Sequence, residues 1–236
     1  MTKTVKETEC LIIGTGIAGA TCAYIAAKAG IKVCLLTKRS DPTLTNTDRA
    51  QGGIVYKGHG DSPEMLKQDI LKAGRYINSF SAVDFLAENG PKVVKDVLID
   101  DLKVEFSHLK GPEDEYFDLT REGAHSVNRI LYCEDQTGKK IEQALIDVLR
   151  KTENVEIVTN ATAIDLITLQ HHSTDIQTRY LMEDRCIGAY VFSDVTKDVH
   201  TILAQYTVLA TGGLGDIFMH STNETGTVGD GIVMAK

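Results

Sequence analysis

The sequence has no tryptophan, and aromatic residues make up only 6% of its 236 residues. Few stacking platforms, together with a formal net charge of −8, disfavour a surface that binds nucleic acid or an acidic membrane. Long hydrophobic runs are also missing. The longest, such as Cys10–Ile13 and Val33–Leu36, have the length of strands and fall short of the ~20 residues of a membrane helix. Met1–Glu9 is polar and contains no readable signal peptide. We therefore expect neither a nucleic-acid partner nor a membrane span.

Cysteine is scarce and irregularly spaced. No C-x-x-C pair occurs, and the number is odd: Cys10, Cys22, Cys34, Cys133 and Cys186. This pattern predicts neither a disulfide framework nor a metal site, and small buried hydrophobic side chains are the simpler interpretation. A reducing cytoplasm is the expected location. With 42% apolar and 25% charged residues, the chain has enough apolar residues to bury a core.

The N-terminal part of the sequence predicts a βαβ unit. A short buried strand is expected over Glu9–Ile13, an alanine-rich helix over Thr21–Ala29 that ends at Gly30, and a second strand over Ile31–Leu36. Such a unit makes its two strands parallel. Between the first strand and the helix lies Gly14-Thr15-Gly16-Ile17-Ala18-Gly19, which matches G-x-G-x-x-G.

In this context the three glycines predict a dinucleotide site. Gly14 allows the tight turn, Gly16 lets the backbone approach a pyrophosphate, and Gly19 permits close packing of the helix on the strand. Backbone N–H groups and the positive end of the helix dipole would hold the anion, so an acidic protein can still bind it. A purely structural turn between strand and helix is the alternative interpretation.

The end of the second predicted strand leaves the cofactor open. A NAD site places an acidic residue there, whereas this chain has Leu36-Thr37-Lys38-Arg39. Either these cations bind a 2′-phosphate, as in NADP, or the cofactor is FAD held differently. Two further glycine turns, Ala50-Gln51-Gly52-Gly53 and Ala210-Thr211-Gly212-Gly213, favour FAD, because a long two-part cofactor suits several backbone turns at strand ends.

The remaining elements alternate between helix and strand. Ser62-Pro63-Glu64 predicts the capped start of a helix that runs to about Ala73, and Ser81–Leu98 predicts one or two helices interrupted near Gly90-Pro91. A polar hairpin with a solvated His171-His172 tip is expected within Gln170–Asp184. Further predicted elements are an amphipathic helix over Thr137–Lys151 and strands over Val155–Val158, Ala163–Leu169, Cys186–Phe192 and Thr201–Ala210.

Several motifs in order resemble the succinate dehydrogenase/fumarate reductase flavoprotein family. They are the glycine fingerprint, Thr37-Lys38, Asn46-Thr47-Asp48-Arg49-Ala50-Gln51-Gly52-Gly53-Ile54 and Ala210-Thr211-Gly212-Gly213. Within that family, Leu119-Thr120-Arg121-Glu122-Gly123-Ala124-His125-Ser126, Arg129-Ile130-Leu131 and Thr137-Gly138-Lys139 are similar to the members that oxidise L-aspartate. Thr227-Val228-Gly229-Asp230-Gly231-Ile232 is similar to the family's T-G-D-G-I. The chain departs from the family pattern at three positions: Ala124, Arg49 and Val228. The family commonly has an aromatic residue at the position of Arg49.

The resemblance implies how FAD would be held. Thr15, Gly16, Ile17 and Ala18 would line the pyrophosphate between Gly14 and Gly19, and Lys38 would lie at the adenosine end. Thr162 and Ala163 would lie near the adenine, and Asp230 on the flavin side. The remaining implied cofactor-binding residues are those around the ribityl chain and ring and those of the last glycine turn: Asn46, Thr47, Asp48, Arg49, Ala50, Gln51, Gly52, Gly53, Ala210, Thr211, Gly212 and Gly213.

Two positions separate members of the family. Asn46 occupies the position at which succinate dehydrogenases carry a histidine covalently attached to FAD, which implies that FAD is non-covalent here. Glu122 resembles the residue that faces the substrate in aspartate-oxidising members, where relatives specific for dicarboxylates tend to have Gln. A carboxylate attracts the ammonium group of aspartate and an amide does not. A solvated loop charge is the other interpretation of Glu122, and His125 is as readily a structural histidine as a substrate contact.

The resemblance also implies the fold and the function. The expected fold is α/β, a glutathione-reductase-like FAD-binding domain of Rossmann type, with a central parallel sheet and a small antiparallel β layer near 185–210. This domain would cover 1–236, with a helical insertion at about 61–100, and would end before the substrate-capping domain and the C-terminal helical domain. The family's substrate-clamping histidine and arginines would lie beyond Lys236, so the chain alone is expected to be inactive.

The implied reaction is oxidation of L-aspartate to iminosuccinate with O2 or fumarate as electron acceptor. It would be the first step of quinolinate and NAD biosynthesis, with quinolinate synthase as a possible channelling partner. Two alternatives stay open: the flavoprotein subunit of a fumarate reductase or succinate dehydrogenase, and a non-catalytic remnant that folds without cofactor.

Overall fold

The computed structural model describes residues 5–109 and 116–236, which form two compact units. The first unit consists of Met1–Arg49 and Leu145–Lys236, and the second of Ala50–Ala144. The strands are β1 (Val5–Ile13), β2 (Val33–Leu36), β3 (Ile54–Val55), β4 (Ile130–Leu131), β5 (Val155–Val158), β6 (Ala161–Thr168), β7 (Cys186–Ser193) and β8 (Val199–Leu209). The α-helices are α1 (Ile17–Lys28), α2 (Pro63–Ala73), α3 (Phe80–Val93), α4 (Thr137–Leu149), α5 (Leu169–His172), α6 (Ile176–Leu181) and α7 (Asp230–Met234).

A six-stranded sheet forms the centre of the first unit, in the order β5-β2-β1-β8-β7-β6. The strands β5, β2, β1 and β8 are parallel, and β8, β7 and β6 pair in antiparallel fashion. Because β1 lies between β2 and β8, the chain leaves β1 toward one side of the sheet and later returns on the other. This is the topological switch point at which open α/β sheets bind ligands. The predicted α/β class, with a mainly parallel central sheet and antiparallel strands near 185–210, is confirmed.

The central parallel strand β2 and the end of β1 are buried on both faces, which explains their continuous apolar sequences. All four residues of β2 are buried, as are the last four of β1. Leu11, Cys34 and Leu36 belong to one core cluster that continues through the small side chains of β6, β7 and β8. The prediction that Cys10 and Cys34 are small buried side chains is confirmed, whereas Cys22 is only partly buried.

Close packing of α1 on the sheet depends on the absence of side chains in the glycine turn. Gly14 has a φ of +115°, and a Cβ there would lie 2.2 Å from the carbonyl oxygen of Ala210. A Cβ at Gly19 would lie 1.9 Å from the carbonyl oxygen of Gly14. Both distances are far below van der Waals contact, so backbone atoms of the turn, the helix and the end of β8 occupy the space of these two missing side chains.

The second unit begins with two helices of contrasting construction. Ser62 caps α2 as predicted, because its hydroxyl accepts the N–H of Met65 at 3.2 Å and Pro63 follows. The predicted interruption near Gly90-Pro91 is wrong: α3 continues through Pro91 and is followed by a π-helical segment, Val94–Asp101. A proline removes one backbone donor, and a change to wider π-type bonding accommodates that loss without ending the helix.

The predicted hairpin within Gln170–Asp184 is also wrong. Two short helices, α5 and α6, occupy this segment between β6 and β7. Side chains at the starts of α5 and α6 explain why helices form here and not a hairpin. The Thr168 hydroxyl accepts the N–H of His171, and the Asp175 carboxylate accepts the N–H of Thr178. Such local caps favour helical turns over strand pairing. The hydrogen bonds of Asp175 hold the pKa of its carboxyl below the usual value.

A buried ion-pair network crosses the second unit. Arg129 is completely buried and contacts two carboxylates, Asp61 at 2.9 Å and Asp69 at 2.6 Å. Ser126 donates both its backbone N–H and its hydroxyl to Asp69. Burial alone would raise the pKa of the Asp69 carboxyl, but these hydrogen bonds and the Arg129 charge outweigh it, and the pKa is lowered. The network therefore fastens the segment that follows Glu122 to helix α2.

Within residues 5–109 and 116–236, none of the helices combines the length and the apolar character needed to cross a membrane.

Candidate functional site

A cleft of about 690 Å³ opens in the first unit at the carboxyl ends of three adjacent parallel strands. The last residues of β1, β2 and β8, which are Ile13, Leu36 and Leu209, form part of its wall. Its volume lies within the range of about 300–1,000 Å³ typical of cofactor and ligand pockets. The cleft thus occupies the switch point of the sheet, which is where the glycine fingerprint predicts a dinucleotide.

The start of α1 suits an anionic group in this cleft. Gly16 is the N-cap residue, it provides no side-chain cap, and the first turn contains no acidic residue. The hydroxyl of Thr47 accepts the N–H of Ile17 at 2.9 Å, which places Thr47 beside the helix end. A twelve-residue helix that begins at Ile17 without an acidic residue in its first turn provides backbone donors beyond Ile17 and a positive dipole end for a phosphate.

Both cations at the end of β2 are already paired with carboxylates. Lys38 Nζ lies 2.8 Å from Asp230 Oδ2, and Arg39 Nη2 lies 3.5 Å from Glu224 Oε1. A 2′-phosphate would have to compete with these carboxylates and would be repelled by them. The geometry therefore favours FAD over NADP, the alternative that the sequence left open.

Most residues expected to contact the cofactor surround one cleft. Its wall includes residues from the fingerprint, the end of β2, the 40–49 loop, β6 and the last glycine turn: Gly14, Thr15, Gly16, Ile17, Ala18, Lys38, Asn46, Thr47, Thr162, Ala163, Ala210, Thr211, Gly212 and Asp230. Gly19, Asp48, Arg49 and Gly213 belong to the same unit without lining that wall. Lys38 and Asp230, expected at the adenosine end and on the flavin side of FAD, pair with each other at 2.8 Å in this structure. The individual roles of these residues toward FAD stay predictions.

The sequence did not identify one side of the cleft, which is built by the segment before α7. Glu224, Thr225, Gly226 and Thr227 line this side. Only the similarity of residues 227–232 to T-G-D-G-I pointed to the neighbourhood, and no residue pattern marked Glu224 itself. Arg39 also lines the cleft, whereas the family resemblance implies a cofactor contact for Lys38 alone.

The second unit contains the predicted ring-side turn, Ala50-Gln51-Gly52-Gly53. The N–H of Gly138 donates to the carbonyl of Ala50 at 2.8 Å, so α4 holds the turn at its start. Glu122 comes close to the same turn, because a Cβ at Gly52 would lie 3.0 Å from Glu122 Oε1. Glu122 is exposed on its loop. Nδ1 of His125 is buried and has no hydrogen-bond partner in the described part of the chain.

The residues of the first unit fit an FAD molecule. Gly14 and Gly16 have no side chains, so the backbone of the turn is accessible from the cleft. The first turn of α1 contains no acidic group that would repel a phosphate. The cleft wall at Ile13, Leu36 and Leu209 is apolar. An anionic pyrophosphate with a flat apolar ring on either side matches this combination.

Comparisons with known proteins agree with this assignment. A sequence profile described as an FAD binding domain matches residues 9–236. The chain is 40% identical to the L-aspartate oxidase of Halobacterium salinarum over 97% of its own length and 42% of that protein. It is 36% identical to the L-aspartate oxidase of Clostridium acetobutylicum over 97% of its own length and 48% of that protein.

Solved structures of flavoproteins share the fold. E. coli quinol fumarate reductase superposes with a TM-score of 0.84 at 23% identity, covering 98% of this chain and 37% of that one. A flavocytochrome c3 fumarate reductase in its open conformation superposes with a TM-score of 0.78 at 26% identity, covering 98% of this chain and 40% of that one. These likenesses identify the architecture, which is that of the succinate dehydrogenase and fumarate reductase flavoproteins.

The chain spans less than half the length of the curated relatives named above. The match to the FAD profile nevertheless extends over nearly all of it, and the fingerprint, the free helix end and the cleft at the switch point lie within the matched residues. FAD is therefore its cofactor, and the chain belongs to the FAD binding domain family.

Proposed function

We propose that this chain is the FAD-binding part of an enzyme that oxidises L-aspartate to iminosuccinate. The identity of 33–40% to proteins named L-aspartate oxidase supports the substrate, since the similarity extends over at least 95% of the chain. One observation carries the proposal: the Glu122 carboxylate lies beside Gly52 in the turn expected to face the flavin ring. A negative charge at this position is what the ammonium group of aspartate requires.

Glu122 would orient the substrate through its charge. An ionised carboxylate opposes the positive charge of an ammonium group with its own negative charge, whereas the carbonyl of a Gln amide accepts a hydrogen bond without supplying a charge. The backbone N–H of His125 donates to the carbonyl of Glu122 at 3.0 Å, and this turn holds the loop in shape. When bound, FAD would supply the acceptor for the hydride that leaves the substrate Cα while the substrate nitrogen gives up a proton to form the imine, and O2 or fumarate would take up the electrons. The protein's share is the positioning of substrate and cofactor.

The proposal includes non-covalent attachment of FAD. Asn46 lines the cleft at the position where a histidine would form the covalent link. Its amide is engaged with the chain, since Oδ1 accepts the N–H of Glu224 at 2.6 Å and Nδ2 donates to the Thr227 hydroxyl at 3.2 Å. A neutral amide in this arrangement is a spacer and hydrogen-bonding group, and not a nucleophile.

The wider setting follows from the proposed reaction. Iminosuccinate formation would be the first step of quinolinate and NAD biosynthesis, in the cytoplasm, and quinolinate synthase would be the partner that receives the product. The domain proposal is one FAD-binding domain with a helical insertion at about 61–100. Fumarate reductase or succinate dehydrogenase activity is the competing proposal, supported by the fold, and Asn46 and Glu122 argue against it.

Replacing Glu122 with Gln is expected to separate these proposals. In the whole natural polypeptide that contains these 236 residues, Glu122→Gln should lower kcat/KM for L-aspartate by about 10- to 100-fold, which corresponds to the loss of one charged hydrogen bond. Succinate has no ammonium group, so its affinity should change by less than about threefold. The measurements are steady-state oxidation of L-aspartate and binding of succinate followed by the flavin spectrum.

Glu88→Gln is the matched control, because Glu88 is an exposed carboxylate on α3 in the same unit. Glu88→Gln should leave both kcat/KM for L-aspartate and the affinity for succinate unchanged. Equal losses for aspartate and succinate in Glu122→Gln would contradict the role of the ammonium group. Faster turnover of succinate than of aspartate by the unmodified protein would favour the competing proposal.

A further inference from the structure

We propose that Glu224 forms an ion-pair clamp with Arg39 and Arg49 that holds one wall of the FAD cleft closed and limits the rate at which FAD is released. We call residues 223–230 the strap. The proposal rests on the binding of FAD in this cleft and not on the oxidation of aspartate. It concerns side chains that the glycine fingerprint does not include.

Glu224 is the centre of the clamp. Its side chain is only 14% exposed, and its carboxylate contacts two guanidinium groups. Arg49 approaches Oε2 through Nε at 2.7 Å and through Nη2 at 2.6 Å, and Arg39 Nη2 lies 3.5 Å from Oε1. The two arginines come from the end of β2 and from the end of the 40–49 loop. A single carboxylate thus joins the strap to two positions, ten residues apart, in the stretch of chain that follows β2.

The rest of the strap is attached to the same two segments. The backbone N–H of Glu224 donates to Asn46, Arg39 donates to the Thr225 hydroxyl at 2.9 Å, and Lys38 pairs with Asp230 at 2.8 Å. Glu224, Thr225 and Asp230 all line the cleft. A ligand held there is therefore bounded on this side by a segment fastened mainly through charges.

Charge fastening has a kinetic consequence. For the strap to move away from the 38–49 side, Glu224 must separate from Arg39 and Arg49, and Asp230 must separate from Lys38. Such separations become easier as salt screens the charges, since the Debye length falls from about 10 Å at 0.1 M to about 3 Å at 1 M. The clamp predicts that FAD release is slow at low salt and accelerates as salt is added. Salt also screens the attraction of the pyrophosphate to the helix end, so the clamp is identified by a stronger salt dependence in the unmodified chain than in a variant without the Glu224 charge.

The test measures the FAD dissociation rate of the FAD-loaded 236-residue chain at about 0.05 M and about 1 M NaCl, a range over which screening changes strongly. Release is followed by the rise in flavin fluorescence after dilution. Glu224→Gln should release FAD about 10-fold faster than the unmodified chain at low salt, because a charged hydrogen-bonded contact is lost. At high salt the two rates should approach each other.

Two further variants make the result specific. Arg49→Gln removes one partner from the exposed side and is a second route to the same effect, should Glu224→Gln fail to fold. The double variant should release FAD at about the rate of the faster single variant, because both changes remove one contact. Glu156→Gln is the matched control, since it breaks the exposed Lys6–Glu156 pair elsewhere in the same unit, and it should leave the rate unchanged.

The outcomes distinguish the clamp from the cofactor assignment. If the unmodified chain holds FAD and both Glu224→Gln and Arg49→Gln release it at the unmodified rate, the clamp is overturned and FAD binding stands. Equal acceleration at low and high salt would also overturn it, because a general loosening of the fold would not depend on charge screening. If the folded chain binds no FAD at all, the cofactor assignment fails, and the clamp fails with it.

Discussion

Replacing Arg129 with Met is expected to lower the free energy of unfolding by about 3–5 kcal/mol, the loss typical of removing one partner from a buried ion pair. Arg129 is completely buried, and its partners Asp61 and Asp69 are themselves shielded, with side chains 3% and 12% exposed. Without the guanidinium, two carboxylates would be left close together in a poorly solvated space. Chemical denaturation of the variant and the unmodified chain measures the difference.

A matched control and a pH series test this explanation. Arg121→Met, on an exposed arginine eight residues earlier, should change stability by less than about 0.5 kcal/mol. Because the pKa of Asp69 is lowered in the folded chain, its contribution to stability is full above the unfolded pKa of about 3.9 and is lost as pH falls through the folded pKa. Without the Arg129 charge the Asp69 carboxyl is protonated more readily, so the difference in the free energy of unfolding between the variant and the unmodified chain should narrow as pH falls toward 4. A loss below about 1 kcal/mol at neutral pH would contradict the network's role.

Gly19→Ala is expected to destabilise the first unit by about 1–3 kcal/mol or more and to weaken FAD binding. The new Cβ would lie 1.9 Å from the carbonyl oxygen of Gly14 and 3.2 Å from Cβ of Ala210. The obstructing oxygen belongs to the backbone and cannot rotate away, so α1 must shift from the turn that holds the pyrophosphate. Thermal unfolding and FAD titration of the same preparation measure both effects.

Gly123→Ala is the control for this substitution, because a Cβ at Gly123 meets no atom within 4 Å. It should change stability by less than about 0.5 kcal/mol. The packing explanation is wrong if Gly19→Ala costs no more than Gly123→Ala. Destabilisation without weaker FAD binding would restrict the role of Gly19 to folding.

The part of the fold that is encoded locally could be predicted from the sequence. The βαβ unit follows from two short apolar runs, a glycine turn and an alanine-rich helix, all within the first 36 residues. The cap at Ser62 follows in the same way from adjacent residues. In each case the deciding interactions join residues close together in sequence, so the residue pattern contains them.

Features that depend on distant contacts could not be predicted. Arg39, Arg49 and Glu224 meet only because the chain returns to the switch point after β8, and no local pattern marks Glu224 as their partner. Helices form in place of the predicted hairpin because side chains cap their starts. The composition of the segment does not reveal whether such caps or strand pairing will be the stronger interaction. Continuation of α3 through Pro91 depends on the π-helical turn that follows it.

Binding of FAD in the cleft of the first unit without a covalent bond is tested most directly by the visible absorbance spectrum of the purified chain after incubation with FAD and gel filtration. We expect the flavin band to stay with the folded protein and to pass into the supernatant when the protein is denatured and precipitated. A colourless protein with the circular dichroism of an intact α/β fold would contradict FAD binding. Flavin that remains on the precipitated chain would contradict the role assigned to Asn46.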